Sequence, residues 1–595
     1  MHIFKKIVFY TSIVLLFFGC SSTKDIADFE EYLYPEGRFF TIKQPDNIDS
    51  RKFDFYFIEA NRLKMLGDIG SAAMYYHEAL KIDSTCATCY YEVGNLLIDN
   101  GEFEEAENYL FNATQLDPDN KYFVELLSQL YQHNGKDTLA LSSIRYLVQR
   151  YPQTPEYHYY QSQLSFRVKR YQEAVNSLYR LENIIGANES LYLERHSIWS
   201  EAGEKKRAED ELKSLIDVFP DEPLYRVYLG DFYIQEGNKR NGYRLYTDIL
   251  DDFPDFGPVW FSLSSYYLGE KDTANFKKSL KEAYRNPGTP LNQKVQKILP
   301  FISDLDDASN PLNNEDIDKY LNLLIDNHSF SSVPYVLYGN FNTSIEKDSI
   351  AMRSYETALL IDDEQEDVWH EFLFLASDYL EHDELIDYSL QAVAIFPENP
   401  IFNYFAGVNF LIDDQYSEAK NYLIRSSEIV EDNSSFLSQI YGILGDVYFK
   451  LDDPDNSFKY FEESLSHDGN NIVVLNNYAY YLSLKEKDLD RAEQMITRVI
   501  ELEPDNPTYL DTYAWVLFKQ NKFFDALFVI EQAIEYDDSN NGVILEHYGD
   551  ILYRNGKIDE AVEQWKKALE TGDDELTKKL PLKIENRTFI EKDYE

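Results

Sequence analysis

The sequence is poor in cationic side chains, histidine and cysteine. Its 595 residues include 56 Lys and Arg against 105 Asp and Glu, with only 10 His and 3 Cys. The resulting formal charge of -49 repels phosphate backbones, so we expect no nucleic-acid partner. The chain also lacks the glycine-rich phosphate loops and the HExxH metal motif, and its histidines show no metal-ligand spacing. We therefore predict neither an enzyme nor a site for a cofactor, a metal ion or a small-molecule substrate.

The N-terminus lacks an apolar run long enough to cross a bilayer. The apolar stretch at residues 7–18 follows Lys5 and Lys6, and it is shorter than the roughly 20 residues of a membrane-spanning helix. This pattern is typical of an export signal. Gly19 and Cys20 come next, and the order of two apolar residues, a small residue and a cysteine resembles the lipobox of bacterial lipoproteins.

The lipobox resemblance implies a lipid anchor at the N-terminus of the mature chain. It implies a signal peptide at residues 1–19, acylation of Cys20 with fatty acids such as palmitate, and a lipidated N-terminus and tether at residues 20–52. The membrane would then be a partner through this lipid. An ordinary signal peptide with an incidental cysteine is the alternative.

Aromatic residues are abundant, and they occur in a repeated pattern. They make up 15% of the chain, with 48 Tyr and 38 Phe, which excludes general disorder. Residues 87–120 read ATCYYEVGNLLIDNGEFEEAENYLFNATQLDPDN, a segment of 34 residues. This segment resembles the tetratricopeptide repeat (TPR), whose signature is matched by Tyr90, Val93, Gly94, Leu97, Gly101, Phe103, Ala106, Leu110, Ala113 and Pro118.

The pattern describes two antiparallel helices that pack closely. Small residues such as Gly94 and Ala106 let the two backbones approach, while Leu110 fills the space beside them. Gly101 lies in the turn, and Pro118 ends the second helix.

The same signature recurs from about residue 53 to residue 574, in fourteen recognisable units. We expect seven repeats at residues 53–284, a degenerate repeat or elbow at 285–331, seven repeats at 332–574, and a charged C-terminal tail or cap at 575–595. The resemblance implies an all-α fold, a right-handed superhelical α-solenoid of TPR helix-turn-helix repeats.

In TPR proteins the first helix of each repeat lines a concave groove, which predicts groove residues near the C-terminus. Aromatic side chains flanked by carboxylates would grip a peptide that carries an apolar anchor and a basic residue. The alternative is that Trp515 packs against a neighbouring repeat and the acidic residues are solvated. The predicted groove residues are Asn477, Tyr481, Asp511, Trp515, Phe518, Glu546, Asp550 and Tyr553.

Cys86 and Cys89 form a CATC motif, and with Cys20 lipidated they are the only remaining thiols. The chain lacks the βαβ setting of a thioredoxin-like site, the second cysteine pair of a zinc ribbon and the histidine of a haem attachment motif. We expect a structural or incidental disulfide in an oxidising compartment.

The C-terminal repeats, residues 475–520 above all, resemble those of long outer-membrane TPR lipoproteins of Gram-negative bacteria. The resemblance implies an adaptor or scaffold in the outer membrane that faces the periplasm. Its groove would bind envelope proteins or peptides and so support a periplasmic protease, secretion or outer-membrane assembly machinery. The alternative is a SusD-like surface glycan-binding lipoprotein, which would need a long irregular segment that only residues 285–331 could supply.

Overall fold

The computed structural model describes residues 49–590 except 306, 538 and 573, and for Asp574 and Glu575 it describes the backbone only. Its described residues form 31 α-helices and no strand, and the predicted all-α solenoid of helix-turn-helix repeats is confirmed. The predicted signal peptide, the Cys20 lipidation site and most of the tether lie outside the described residues. The chain divides into two compact units, residues 1–290 and 291–595.

The first unit holds helices α1 to α14, which form seven consecutive hairpins. They are α1 (Ser50–Met65), α2 (Ile69–Ile82), α3 (Ala87–Asp99), α4 (Phe103–Leu116), α5 (Lys121–His133), α6 (Asp137–Arg150), α7 (Pro155–Arg167), α8 (Tyr171–Ile185), α9 (Glu189–Glu201), α10 (Lys205–Val218), α11 (Pro223–Gln235), α12 (Lys239–Asp252), α13 (Pro258–Gly269) and α14 (Thr273–Arg285).

The second unit begins with two helices that lie in the segment expected to be degenerate, α15 (Leu291–Ser303) and α16 (Asn314–Asn327). Seven hairpins and one further helix follow. They are α17 (Val333–Ser344), α18 (Asp348–Ile361), α19 (Glu366–Ala376), α20 (His382–Ile395), α21 (Pro400–Ile412), α22 (Tyr416–Ile429), α23 (Ser434–Lys450), α24 (Pro454–His467), α25 (Ile472–Leu484), α26 (Leu489–Leu502), α27 (Pro507–Lys519), α28 (Phe523–Tyr536), α29 (Gly542–Arg554), α30 (Ile558–Glu570) and α31 (Asp574–Asn586).

Glycine permits the close approach of the two helices within a hairpin. A Cβ atom at Gly94 would lie 2.8 Å from Cδ2 of Leu110, and one at Gly549 would lie 2.5 Å from Cδ1 of Trp565. These distances are too short for non-bonded carbon atoms, so a larger residue would push the hairpin apart. At the turn between α3 and α4, Gly101 has a φ of +81°, which residues with a side chain rarely adopt.

Asparagine caps the first helices of the last hairpins. The side chains of the residues preceding α21, α23, α25, α27 and α29 each accept hydrogen bonds from backbone N–H groups of the first turn. Those N–H groups have no partner within the helix, so the cap fixes where each helix begins. The five capping residues are Asn399, Asn433, Asn471, Asn506 and Asn541.

The first unit contains a buried ion cluster. The Arg195 guanidinium donates from Nε to Glu211 at 2.8 Å and from Nη1 to Glu182 at 2.9 Å. The rings of Tyr179 and Tyr192 lie 4.2 and 4.4 Å from Arg195 Cζ. Burial disfavours the charged guanidinium, but the two carboxylates outweigh that effect and raise the pKa of Arg195.

No helix in the described ranges combines the length and the apolar character that crossing a membrane requires.

Candidate functional site

The first helices of the last four hairpins contact one another in sequence, α23 with α25, α25 with α27 and α27 with α29. We call the surface that these four helices form the first-helix face. It carries all eight predicted groove residues.

The upstream part of the first-helix face is a half-buried polar and aromatic cluster. Asn477 Nδ2 on α25 donates to both carboxylate oxygens of Asp446 on α23, at 3.2 and 3.3 Å. The rings of Phe449 and Tyr481 stack with centroids 3.8 Å apart, and Lys485 Nζ lies 5.4 Å from the centre of the Phe449 ring. The two residues from each helix are half-buried: Asp446 and Phe449 on α23, and Asn477 and Tyr481 on α25.

Burial raises the pKa of Asp446 to about 6, although hydrogen bonds from Tyr481 and Asn477 favour the ionised form. The carboxylate is therefore ionised at neutral pH. A negative charge on a half-buried residue beside stacked aromatic rings can attract a cationic side chain and give it an apolar surface to lie on.

The middle part of the face is buried. His547 Nδ1 on α29 lies 2.9 Å from both carboxylate oxygens of Asp511 on α27. The imidazole also stacks on Trp515, with ring centroids 4.0 Å apart, and Trp515 stacks on Phe518 at 4.8 Å. Burial opposes protonation of the imidazole, but the charge and hydrogen bond of Asp511, with the charges of Glu546 and Asp550, together outweigh burial and raise the pKa of His547.

The downstream part of the face is covered by the C-terminal segment. Lys583 Nζ on α31 donates to Glu546 Oε1 at 2.7 Å and to Asp550 Oδ2 at 2.7 Å. Trp565 Nε1 donates to Asp550 Oδ1 at 2.9 Å. Burial raises the pKa of Asp550 to about 6, while the positive charge of Lys583 acts in the opposite direction.

The structure corrects the expectation that the predicted groove residues of α27 and α29 are exposed. Trp515, Phe518 and the carboxylates Asp511, Glu546 and Asp550 are all buried. The reason is that His547 pairs with Asp511, while Lys583 and Phe589 of the C-terminal segment cover Asp550, Glu546 and Phe518. Asn477, Tyr481 and Tyr553 are half-buried.

Five residues that the sequence analysis did not single out help to build the face: Asp446, Phe449, His547, Lys583 and Phe589. Repeat spacing could have identified some of them, because contacts between neighbouring repeats join residues about one repeat apart. Asp446 precedes Asn477 by 31 residues, and Lys583 follows Asp550 by 33. Extending the repeat register beyond residue 574 would have placed Lys583 beside the last repeat.

Cys86 and Cys89 are joined by a disulfide at the start of α3, with Cα atoms 5.3 Å apart. Among the described residues, no group of three or more His, Cys, Asp or Glu side chains is arranged to hold a metal ion.

Models of the tetratricopeptide repeat match residues 64–130, 438–471 and 512–575. These three stretches match the tetratricopeptide repeat. The second and third matches fall on three of the four hairpins that carry the first-helix face, and the hairpin of α25 and α26 lies between them. Because such repeats present extended surfaces to other proteins, they support a protein-binding scaffold.

Two curated proteins match short parts of the chain. The uncharacterized protein ycf37 of Porphyra purpurea is 29% identical over 96 residues, which are 16% of this chain and 53% of that protein. The uncharacterized protein ycf37 of Pyropia yezoensis is 33% identical over 77 residues, 13% of this chain and 43% of that protein. The chain thus spans about half the length of the curated relatives it matches.

Solved structures of other helical proteins resemble the chain at low identity. A structure of Naa15/Naa10 bound to HypK-THB is 14% identical to this chain. The alignment covers 94% of this chain and 97% of that chain, with a TM-score of 0.40. A tetratricopeptide repeat protein from Parabacteroides merdae is 15% identical, covers 46% of this chain and 99% of its own, and has a TM-score of 0.25.

Proposed function

We propose that this chain is a membrane-anchored scaffold that binds envelope proteins or peptides through the first-helix face. In this proposal acylated Cys20 holds the chain at a bacterial outer membrane, facing the periplasm. The bound proteins belong to a periplasmic protease, a secretion system or the outer-membrane assembly machinery. The repeats would serve as a binding surface and carry no catalytic role.

The observation that carries the proposal is the half-buried cluster of Asp446, Phe449, Asn477 and Tyr481 on repeats of the TPR type. Its ionised carboxylate and stacked rings suit a segment with a basic side chain next to an apolar one.

The anchor rests on the order of residues at the N-terminus, where an apolar stretch ends at Gly19 and Cys20. The glycan-binding alternative has less support, because it needs a long irregular segment at residues 285–331, and helices α15 and α16 occupy most of that segment.

Two measurements on the same cells test the proposal. Metabolic labelling with an alkyne fatty acid should mark the wild-type chain and leave Cys20→Ser unmarked. Crosslinking followed by affinity recovery through the C-terminus should return protein partners from the wild type, and recovery should fall about tenfold for a Tyr481→Ala, Asp446→Asn double variant, the equivalent of about 1.4 kcal/mol.

The matched control is Thr497→Ala, an exposed position on the second helix α26, which should recover the same partners as the wild type. Equal recovery from the double variant and the wild type would refute the assignment to this face. Equal labelling of Cys20→Ser and the wild type would refute the anchor.

A further inference from the structure

The C-terminal segment brings a cation and an aromatic ring to the first-helix face. Lys583 Nζ contacts Glu546 and Asp550 at 2.7 Å each, and its side chain is 4% exposed. The Phe589 ring lies edge-on to Phe518 with centroids 5.6 Å apart, while Arg554 Cζ and Lys583 Nζ lie 4.8 and 5.5 Å from the centre of the Phe589 ring.

Phe589 contacts the hairpin that precedes the last one. Phe518 belongs to α27, whereas the helix that leads to Phe589 packs mainly on α30. Thr588 Oγ1 lies 2.9 Å from the hydroxyl of Tyr553 on α29, the first helix that follows α27. The segment therefore contacts two successive first helices, as a bound peptide would, and does more than cover the end of the last repeat.

The segment has two parts that are held differently. Leu576 and Leu580 are buried in the core that the last hairpins share. Pro581 lies inside α31 and has no N–H to donate, so the helix is weakened at that point. Beyond it, Leu582 is exposed and Arg587 has a φ of +50°, which ends the helix. We call residues 582–590 the tail.

The tail is held by side chains: the ion pairs of Lys583, the hydroxyl contact of Thr588 and the ring contact of Phe589 reach the face. Ile584 packs against the edge of the core and Arg587 pairs with Asp559 on α30, and an opening of the tail would release these two contacts as well. Releasing them does not require Leu576 or Leu580 to leave the core. The tail can therefore open while the cap formed by the first half of α31 stays in place.

We propose that the tail is an internal ligand of the first-helix face, and that a partner segment with the same chemistry exchanges with it. That segment carries a lysine or arginine followed six residues later by an aromatic residue, the spacing of Lys583 and Phe589. Its cation enters between Glu546 and Asp550, and its ring packs on Phe518. This inference rests on the proposed function, since it names the kind of segment that the scaffold binds.

The charges and the tether support this assignment. Two carboxylates are placed to hold one cation, so an apolar or acidic segment would leave buried negative charge without a partner. A tethered ligand acts at an effective concentration on the order of millimolar, so the tail lowers the apparent affinity of any segment added from outside. A partner gains access by binding more tightly or by adding contacts at Asp446 and Tyr481.

A fluorescein-labelled peptide of residues 582–590, LKIENRTFI, tests the exchange on the full-length chain. Fluorescence anisotropy should show weak binding to the wild type and at least about tenfold tighter binding to a Lys583→Met, Phe589→Ala chain, whose own tail cannot compete. Adding Glu546→Gln and Asp550→Asn to that chain should abolish the gain. A peptide that carries K583E and F589A should bind none of these chains.

Circular dichroism checks that the variant is folded, and hydrogen exchange checks that the tail opens separately from the rest of α31. The Lys583→Met, Phe589→Ala chain should keep the helical signal of the wild type. In the wild type, amides of residues 582–586 should exchange faster than those near Leu580, which shows that the tail opens separately. Exchange of the tail only together with residues 574–580 would overturn the inference, because the segment would then be a fixed cap.

Equal peptide binding by the wild type and the tail variant, or binding by neither, would also overturn it. So would a wild-type chain that sediments as a dimer and becomes a monomer on Lys583→Met, Phe589→Ala, because the tail would then exchange between copies. Partner recovery that depends on Asp446 and Tyr481 would still support the scaffold in each of these cases. Peptide exchange without any recovered partner would support the tail and count against the scaffold.

Discussion

At the residue scale, Arg195 shows what burial of charge demands of its surroundings. Arg195→Met should lower the free energy of unfolding by about 3–5 kcal/mol, because it leaves the carboxylates of Glu211 and Glu182 without their shared cation. Urea unfolding followed by circular dichroism measures the change. Lys206→Met likewise replaces a cation by methionine, but at a side chain that is 71% exposed, and it should change stability by less than about 0.5 kcal/mol. Similar effects of the two substitutions would contradict this account of Arg195.

His547 makes a pH-dependent contribution to stability. Burial lowers the pKa of His547, but the charge and hydrogen bond of Asp511 together with the charges of Glu546 and Asp550 outweigh burial and raise the folded-state pKa above the ordinary value of 6.5. The contribution is therefore complete below 6.5 and is lost as the pH rises through the folded-state pKa. Asp550, with a pKa raised from 3.8 to about 6, acts in the same direction at lower pH: its contribution to stability is lost as the pH rises from 3.8 to about 6.

Urea unfolding at pH values from 6 upward should thus show the wild type losing stability relative to His547→Gln, which can donate to Asp511 but carries no charge. A difference between the two proteins that does not change with pH, or that grows in the other direction, would show that the imidazole is not held as a cation.

At the element scale, two glycines with opposite backbone requirements test the hairpin geometry. Gly101→Ala should lower stability by about 1 kcal/mol, because φ there is +81° and a Cβ atom is strained in that region. Gly70→Ala, within α2, should raise stability by about 0.4–1 kcal/mol, since a Cβ there meets nothing within 4 Å and the unfolded chain loses freedom. Thermal and urea unfolding give both values, and a shift of the same sign for both would contradict the assigned turn.

Local spacing made most of the helices predictable from the sequence. Positions such as Gly94, Gly101 and Leu110 lie within one hairpin, and their steric requirements recur with each repeat. The burial of the predicted groove residues could not be obtained in this way. It depends on Lys583 and Phe589, which belong to the segment predicted as a charged tail or cap.

The same reason explains why exposure was predicted for Asp511 and Asp550. Carboxylates at regular positions on a first helix are solvated unless a distant residue supplies a counter-charge. His547 lies 36 residues after Asp511, and Lys583 lies 33 residues after Asp550, so neither pair is visible within a single repeat. Asn477 and Tyr481 lie on the same face without such a cover, and they are half-buried.

At the scale of the whole molecule, the charge of -49 and the repeat surfaces favour a narrow class of partner. The general acidity disfavours anionic partners at long range. In our proposal the first-helix face adds local specificity through the half-buried Asp446 and through Glu546 and Asp550, which Lys583 pairs with. A protein segment with a basic and an aromatic side chain meets both conditions.

The central claim is that protein partners bind the first-helix face. A photo-crosslinking amino acid at Tyr481, compared with the same residue at Thr497 on α26, tests it most directly in cells that produce the chain. We expect ultraviolet light to give discrete protein adducts from position 481 and none from position 497. Adducts from position 497 alone, or from both positions equally, would contradict the claim.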